Sequence, residues 1–222
     1  MKRAARLDDV VGFGIDRVAA AITGDVLRLE NLDTDLGLPE AAVSVTRAAL
    51  DDPVSNSWLP FTGDLGLREA ISARLAERHG RVFDPETELV VTCGGCEAVL
   101  DVLLATIDPG DEVLLVDPIY AGLVNRVRLA GGVPRFVGLQ VVDGEWALGE
   151  LAVSDRTVAL LMMSPSMPSG HVLTADDWAR VESVCVERDL LLVYDAPRRT
   201  SCSTGASRCR RSRTRASPIA PC

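Results

Sequence analysis

Residues 88–120, ELVVTCGGCEAVLDVLLATIDPGDEVLLVDPIY, decide the fold. An apolar run at 88–92 reads as a buried strand, CGGC follows as a loop, and EAVLDVLLATI at 97–107 has a helical apolar period. The turn signal DPGD at 108–111 ends that unit, and EVLLV at 112–116 opens the next as a second strand. Downstream the alternation repeats. A helix closes near Gly131 and Gly132, VPRFVGL at 133–139 is a third strand, and QVVDGEWALGEL at 140–151 is a hairpin or excursion. TVALLMM at 157–163 is the fourth strand. A capping box from Thr174 to Asp177 starts a helix with Trp178, Val181 and Cys185 inward, and LLLVYD at 190–195 is the fifth strand. Upstream, LREAISARLAERHG at 67–80 is a helix with Leu67, Ile71 and Leu75 on one face and Gly80 as its stop.

Strands that are Val- and Leu-rich on both faces and separated by helices predict an α/β fold, a mainly parallel sheet with helices on both faces. Right-handed crossovers then bring every post-strand loop to one edge, where ligands of open α/β sheets bind. Four features share that edge: 92–96, 117–120, 164–170 and 195–198.

Composition narrows the classes. The chain has 222 residues and a net charge of −9, but residues 198–222 hold seven Arg and no acid, so −9 − 7 leaves −16 on residues 1–197. That basic tail, with Ile219 its one aliphatic residue beyond alanine, is expected to be disordered. An acidic body argues against specific nucleic-acid binding. No apolar run approaches the ~20 residues of a membrane span. The N-terminal MKRAARLDDVVGFGID lacks the apolar core of a signal peptide, so a cytoplasmic location and reduced thiols are expected. His79 and His171 lack ligand spacing, and no metal site is expected.

Each loop has a plain reading beside a functional one. Thr92–Cys96 is a simple tight turn or an anion cradle at a helix N-terminus. Its C-x-x-C is also the arrangement of a thiol redox pair. Tyr120 is a core aromatic or a stacking platform, and Asp195 a turn residue or the partner of a ligand cation.

Taken together, the motifs resemble the class I/II, fold-type I aminotransferases that use pyridoxal phosphate, over roughly residues 27 to 197. The carriers are WLPFTGDLGLREAI, VVTCGGCEAVL, DEVLLVDPIYAGLVNRVRLAGGVP, SPSMPSGHVL and LLVYDA. The resemblance implies that Gly95 and Cys96 offer backbone N–H groups to the cofactor phosphate, that Tyr120 stacks on the pyridine ring, and that Asp195 keeps the ring nitrogen protonated. It implies amino acid and 2-oxo acid substrates and a homodimer in the full-length parent. It also implies an N-terminal arm and small-domain segment at 1–50, an incomplete cofactor-binding domain at 51–197, and the tail at 198–222. Met167 stands where the family has an Asn that binds the cofactor, Trp58 where a Tyr is common, and Arg198 where another Tyr is usual. The chain holds one lysine, Lys2, so the family's Schiff-base lysine is absent. The expectation is therefore an aminotransferase chain truncated or frameshifted after about residue 197, impaired in catalysis. The alternatives are a noncatalytic pseudoenzyme that binds pyridoxal phosphate or a partner, and a C-x-x-C thiol oxidoreductase.

Overall fold

Five consecutive apolar or shielded positions, Glu112 to Val116, make β1 (Glu112–Asp117) the buried centre of the sheet. The computed structural model describes residues 2–10, 12, 15–24, 26–27 and 36–196; the tail expected to be disordered lies outside the described residues. Around β1 stand β2 (Val133–Val142), β3 (Glu145–Leu148), β4 (Thr157–Met163) and β5 (Leu191–Asp195) in the order β3-β2-β1-β4-β5. β2, β1, β4 and β5 are mutually parallel. β3 is the return arm of a hairpin on the far half of β2, with Leu139 opposite Leu148. Asp143 and Gly144, at φ 54° and 84°, make its two-residue turn, the left-handed pair that the twist of a hairpin favours.

The helices α4 (Gly95–Thr106), α5 (Ala121–Leu129) and α6 (Ala175–Arg188) follow the expected pattern. Pleating sends alternate residues of β1 and β4 to opposite faces. On one face Val113, Leu115, Ala159, Leu161 and Met163 pack against Val99 and Leu103 of α4 and Leu123 and Val127 of α5. On the other, Leu114, Val116, Leu160 and Met162 meet Trp178 and Val181 of α6. The crossover after β1 and the crossover after β4 thus lie on opposite faces of adjacent strands. Between two such strands the loops at their carboxyl ends part, and that crevice is the ligand position of open α/β sheets.

Contact density divides the chain into two units: residues 1–11 with 92 onward, and residues 12–91. The second holds α1 (Ile15–Ala21), α2 (Glu40–Leu50) and α3 (Leu65–His79). Asp64 caps α3 by accepting from the Leu67 N–H at 2.8 Å, and Gly80 closes it at φ 63°. Its buried face differs from the Leu67, Ile71, Leu75 stripe: Arg68 and Ser72 are the buried residues and Leu67 is exposed. The loop at 82–85 explains this, because its carbonyls need donors: Arg68 donates to Pro85 and Ser72 to Phe83.

One expected strand does not form. Residues 88–92 join no ladder, the Val91 N–H donates instead to the Thr62 carbonyl at 3.0 Å, and Val90 stays exposed. Apolar character supplies the burial preference of a strand but not its partner. Among the described residues no helix is long and apolar enough to cross a membrane.

Candidate functional site

α4 runs back along the sheet, so its N-terminus returns to the edge where β1, β4 and β5 end. Gly94 caps it at φ 95°, a conformation that side chains with a Cβ rarely adopt. The Gly94 N–H donates to the Thr92 carbonyl at 2.8 Å and the Thr92 hydroxyl to the Gly94 carbonyl at 3.0 Å. Glu97 accepts from the Cys93 N–H, which removes that donor from the cradle. The N–H groups of Gly95 and Cys96 open the helix and have no intrahelical acceptor. A Cβ built on Gly94 or Gly95 would meet nothing within 4 Å, so the outer side of this turn is open. Arg126 of α5 donates to the Cys96 carbonyl at 3.3 Å and brings a cation beside the first turn.

Tyr120 sits at the N-cap of α5, and its ring occupies the space over Gly122. Its hydroxyl lies beside the Cys96 side chain. Burial pushes the Tyr120 phenol above its ordinary range, the neighbouring Cys96 adds to the shift, and Arg126 pulls against it. The loop after β4 closes on the loop after β1: Ser166 donates to the Pro118 carbonyl at 3.4 Å. Within it the Ser166 N–H donates to His171 at 2.7 Å and the Leu173 N–H to the Ser164 hydroxyl at 3.1 Å.

Asp195 ends β5 next to this loop, its backbone carbonyl accepting from the Ser164 N–H at 3.3 Å. Tyr194 points the other way, donating to the Ser164 carbonyl at 2.9 Å and meeting Trp178 edge-on at 4.8 Å. The pleat therefore turns Asp195 to the face of Val193, and Val193, Tyr120 and Met167 all pack on the α4–α5 core. The Asp195 carboxyl is half-buried and has no hydrogen bond or ion pair among the described residues. Burial raises its pKa above the ordinary carboxylate value. A carboxyl so placed is favoured by a ligand that brings a cationic N–H.

Gly95, Cys96, Tyr120, Met167 and Asp195 thus lie on one face and at one edge of one unit. Trp58 lies in the other unit, its ring edge-on to Phe61 at 6.3 Å, and Arg198 lies outside the described residues. Arg126, Gly122, Tyr194 and Ser166 support the corner and escaped the sequence reading. Their roles are contacts between elements, and the small residue in the first turn of α5 was the only local cue. Among the described residues no group of three His, Cys, Asp or Glu side chains could hold a metal ion.

An open glycine turn at a helix N-terminus, an aromatic ring and a carboxyl without a partner among the described residues share one sheet edge, the position where ligands of open α/β sheets bind. The family of the chain follows from comparison with known proteins. Residues 25–196 match the sequence pattern of the aminotransferase class I and II family, and the chain belongs to that family. Its members depend on pyridoxal phosphate. The chain is 31% identical over 207 residues to the LL-diaminopimelate aminotransferase of Gloeobacter violaceus, covering 88% of this chain and 52% of the relative. The solved N-succinyldiaminopimelate aminotransferase of Mycobacterium tuberculosis superposes with a TM-score of 0.77 at 29% identity, over 87% of this chain and 52% of that one. The aspartate aminotransferase of Thermus thermophilus gives a TM-score of 0.74 at 27% identity, over 88% and 53%. The chain spans about half the length of these relatives.

The residues present suit pyridoxal phosphate as a held group: the glycine turn fits its phosphate, the Tyr120 ring its pyridine, and the Asp195 carboxyl its ring nitrogen. Met167 packs on the α4–α5 core, and its thioether offers such a group no hydrogen-bond donor and only a weak acceptor. The sole lysine of the sequence is Lys2.

Proposed function

We propose that the corner at the carboxyl ends of β1, β4 and β5 binds pyridoxal phosphate, and that this chain is the cofactor-binding part of an enzyme moving an amino group between an amino acid and a 2-oxo acid. The carrying observation is the half-buried Asp195 carboxyl, which has no partner among the described residues and faces the side on which Tyr120 packs. The cofactor, when bound, supplies an electron sink for the carbon that loses its proton. The N–H groups of Gly95 and Cys96 hold the phosphate at the positive end of α4. Tyr120 covers one ring face and keeps water from it. Asp195 holds a proton on the ring nitrogen, and its reluctance to stay charged when empty is relieved by that cation.

The named substrates of the relatives are diaminopimelate derivatives and aspartate, and the residues of this corner select none of them. In the same reading residues 1–50 are an arm and small-domain segment and 51–197 the cofactor-binding domain of a cytoplasmic homodimer. With Lys2 its only lysine, the 222-residue chain holds the cofactor without covalent attachment and turns over weakly or not at all. This absence favours a noncatalytic binder as the second reading for the chain as it stands. Equilibrium dialysis of pyridoxal phosphate against the purified chain and against Asp195→Ala tests the site. Saturable binding weakened about tenfold or more by the substitution supports it, on the scale of a hydrogen bond to a charged group. Binding of equal strength in both removes Asp195 from the site, and amino-acid-dependent turnover by the purified chain overturns the noncatalytic half.

A further inference from the structure

The turn proposed above to cradle a phosphate also carries two thiols separated only by glycine. Cys93 is exposed, Cys96 is half-buried, and both are free. Cys185, the other cysteine among the described residues, packs on the opposite face of the sheet, where burial raises its thiol pKa. Cys93 is folded over the start of α4 because its N–H donates to the side chain of Glu97, one turn into the helix. Cys93 stands two residues before α4 and Cys96 is the second residue of it, and a disulfide between them closes their Cβ atoms to about 4 Å. The intervening residues can absorb that movement: both are glycine, Gly94 already lies at φ 95°, and nothing stands within 4 Å of a Cβ placed on either.

We propose that Cys93 and Cys96 form a peroxide-responsive dithiol whose disulfide closes the phosphate turn; its regulatory half rests on the cofactor reading above. The chemistry balances with a peroxide as oxidant. The Cys93 sulfur attacks the O–O bond, gains an oxygen as sulfenic acid and releases water. The Cys96 sulfur then displaces that oxygen as a second water, so two thiols lose two hydrogens and one peroxide gives two waters. Closure has two structural consequences. It draws the first turn of α4 toward Cys93, misaligning the Gly95 and Cys96 N–H groups, and it converts the thiol neighbouring the Tyr120 phenol into a disulfide.

The test treats the full chain with hydrogen peroxide, alkylates the remaining thiols, and maps tryptic peptides without and with dithiothreitol. The expected product is the peptide holding both cysteines short of two hydrogens, restored by dithiothreitol and absent in Cys93→Ser and in Cys96→Ser. The oxidised chain is also expected to bind pyridoxal phosphate about tenfold more weakly than the reduced chain, the loss of one charge-assisted hydrogen bond. Thiols that stay open to alkylation after peroxide overturn the proposal, as do bonds mapping to Cys185, Cys202, Cys209 or Cys222. Equal binding by the two forms overturns the regulatory half. A reduced chain that holds no pyridoxal phosphate sinks the cofactor reading and the regulatory half with it, while the disulfide is judged by the peptide map.

Discussion

Replacing Gly122 by Ala separates the local preference of a helix from the needs of the site. The substitution sits in the first turn of α5, where alanine favours the helix by up to about 1 kcal/mol over glycine. The added Cβ would lie 2.2 Å from Cε1, 2.8 Å from Cζ and 2.9 Å from Cδ1 of Tyr120. Contacts so short cannot persist, and the ring has to leave its position. The helix gain and the lost packing are of similar size, so urea midpoints should stay within about 1 kcal/mol of the parent. The site should not. A displaced ring loses part of its burial and moves off the neighbouring Cys96, so its phenol should titrate closer to the ordinary tyrosine value. The chain has only two tyrosines, so ultraviolet difference titration resolves this against Tyr194. Pyridoxal phosphate binding should weaken by roughly 2- to 10-fold, the scale of one aromatic stack. A variant with both the Tyr120 titration and the binding unchanged would refute the placement of this ring.

Three further substitutions test the rest. Asp195→Asn should stabilise the cofactor-free chain at neutral pH: burial raises the folded pKa, so the native state binds the extra proton and the charged form costs stability as pH rises above the unfolded value of about 3.8. Below that value the two chains should converge, and paired urea titrations across pH read the difference. Leu161→Ala, at a fully buried position between β4 and the α4–α5 layer, should cost about 2–5 kcal/mol in urea unfolding. Thr174→Ala removes the hydroxyl that accepts from the Asp177 N–H at 3.1 Å and should cost about 1 kcal/mol.

The sheet was readable where burial on both faces writes a continuous apolar run, as in 112–116 and 157–163. The capping box of α6 was readable because it is local, whereas 140–151 was legible only as a hairpin or an excursion. Residues 88–92 carry the same apolar signal without a ladder partner, and pairing is a property of two segments. The face of α3 was misread for a related reason: loop carbonyls at 83 and 85 demand donors, and Arg68 and Ser72 supply them. At the site, Asp195 and the glycine turn announce themselves as a polar strand end and a break before a helix. Arg126 and Gly122 do not, because each matters only through a neighbour that the fold delivers.

In the proposed site Asp195 holds a proton on the ring nitrogen of a bound pyridoxal phosphate. Nitrogen NMR of the chain saturated with cofactor labelled at that nitrogen measures this directly near neutral pH. A protonated ring nitrogen is expected in the parent chain and an unprotonated one in Asp195→Asn. An unprotonated nitrogen in the parent, or the same state in both chains, would contradict it.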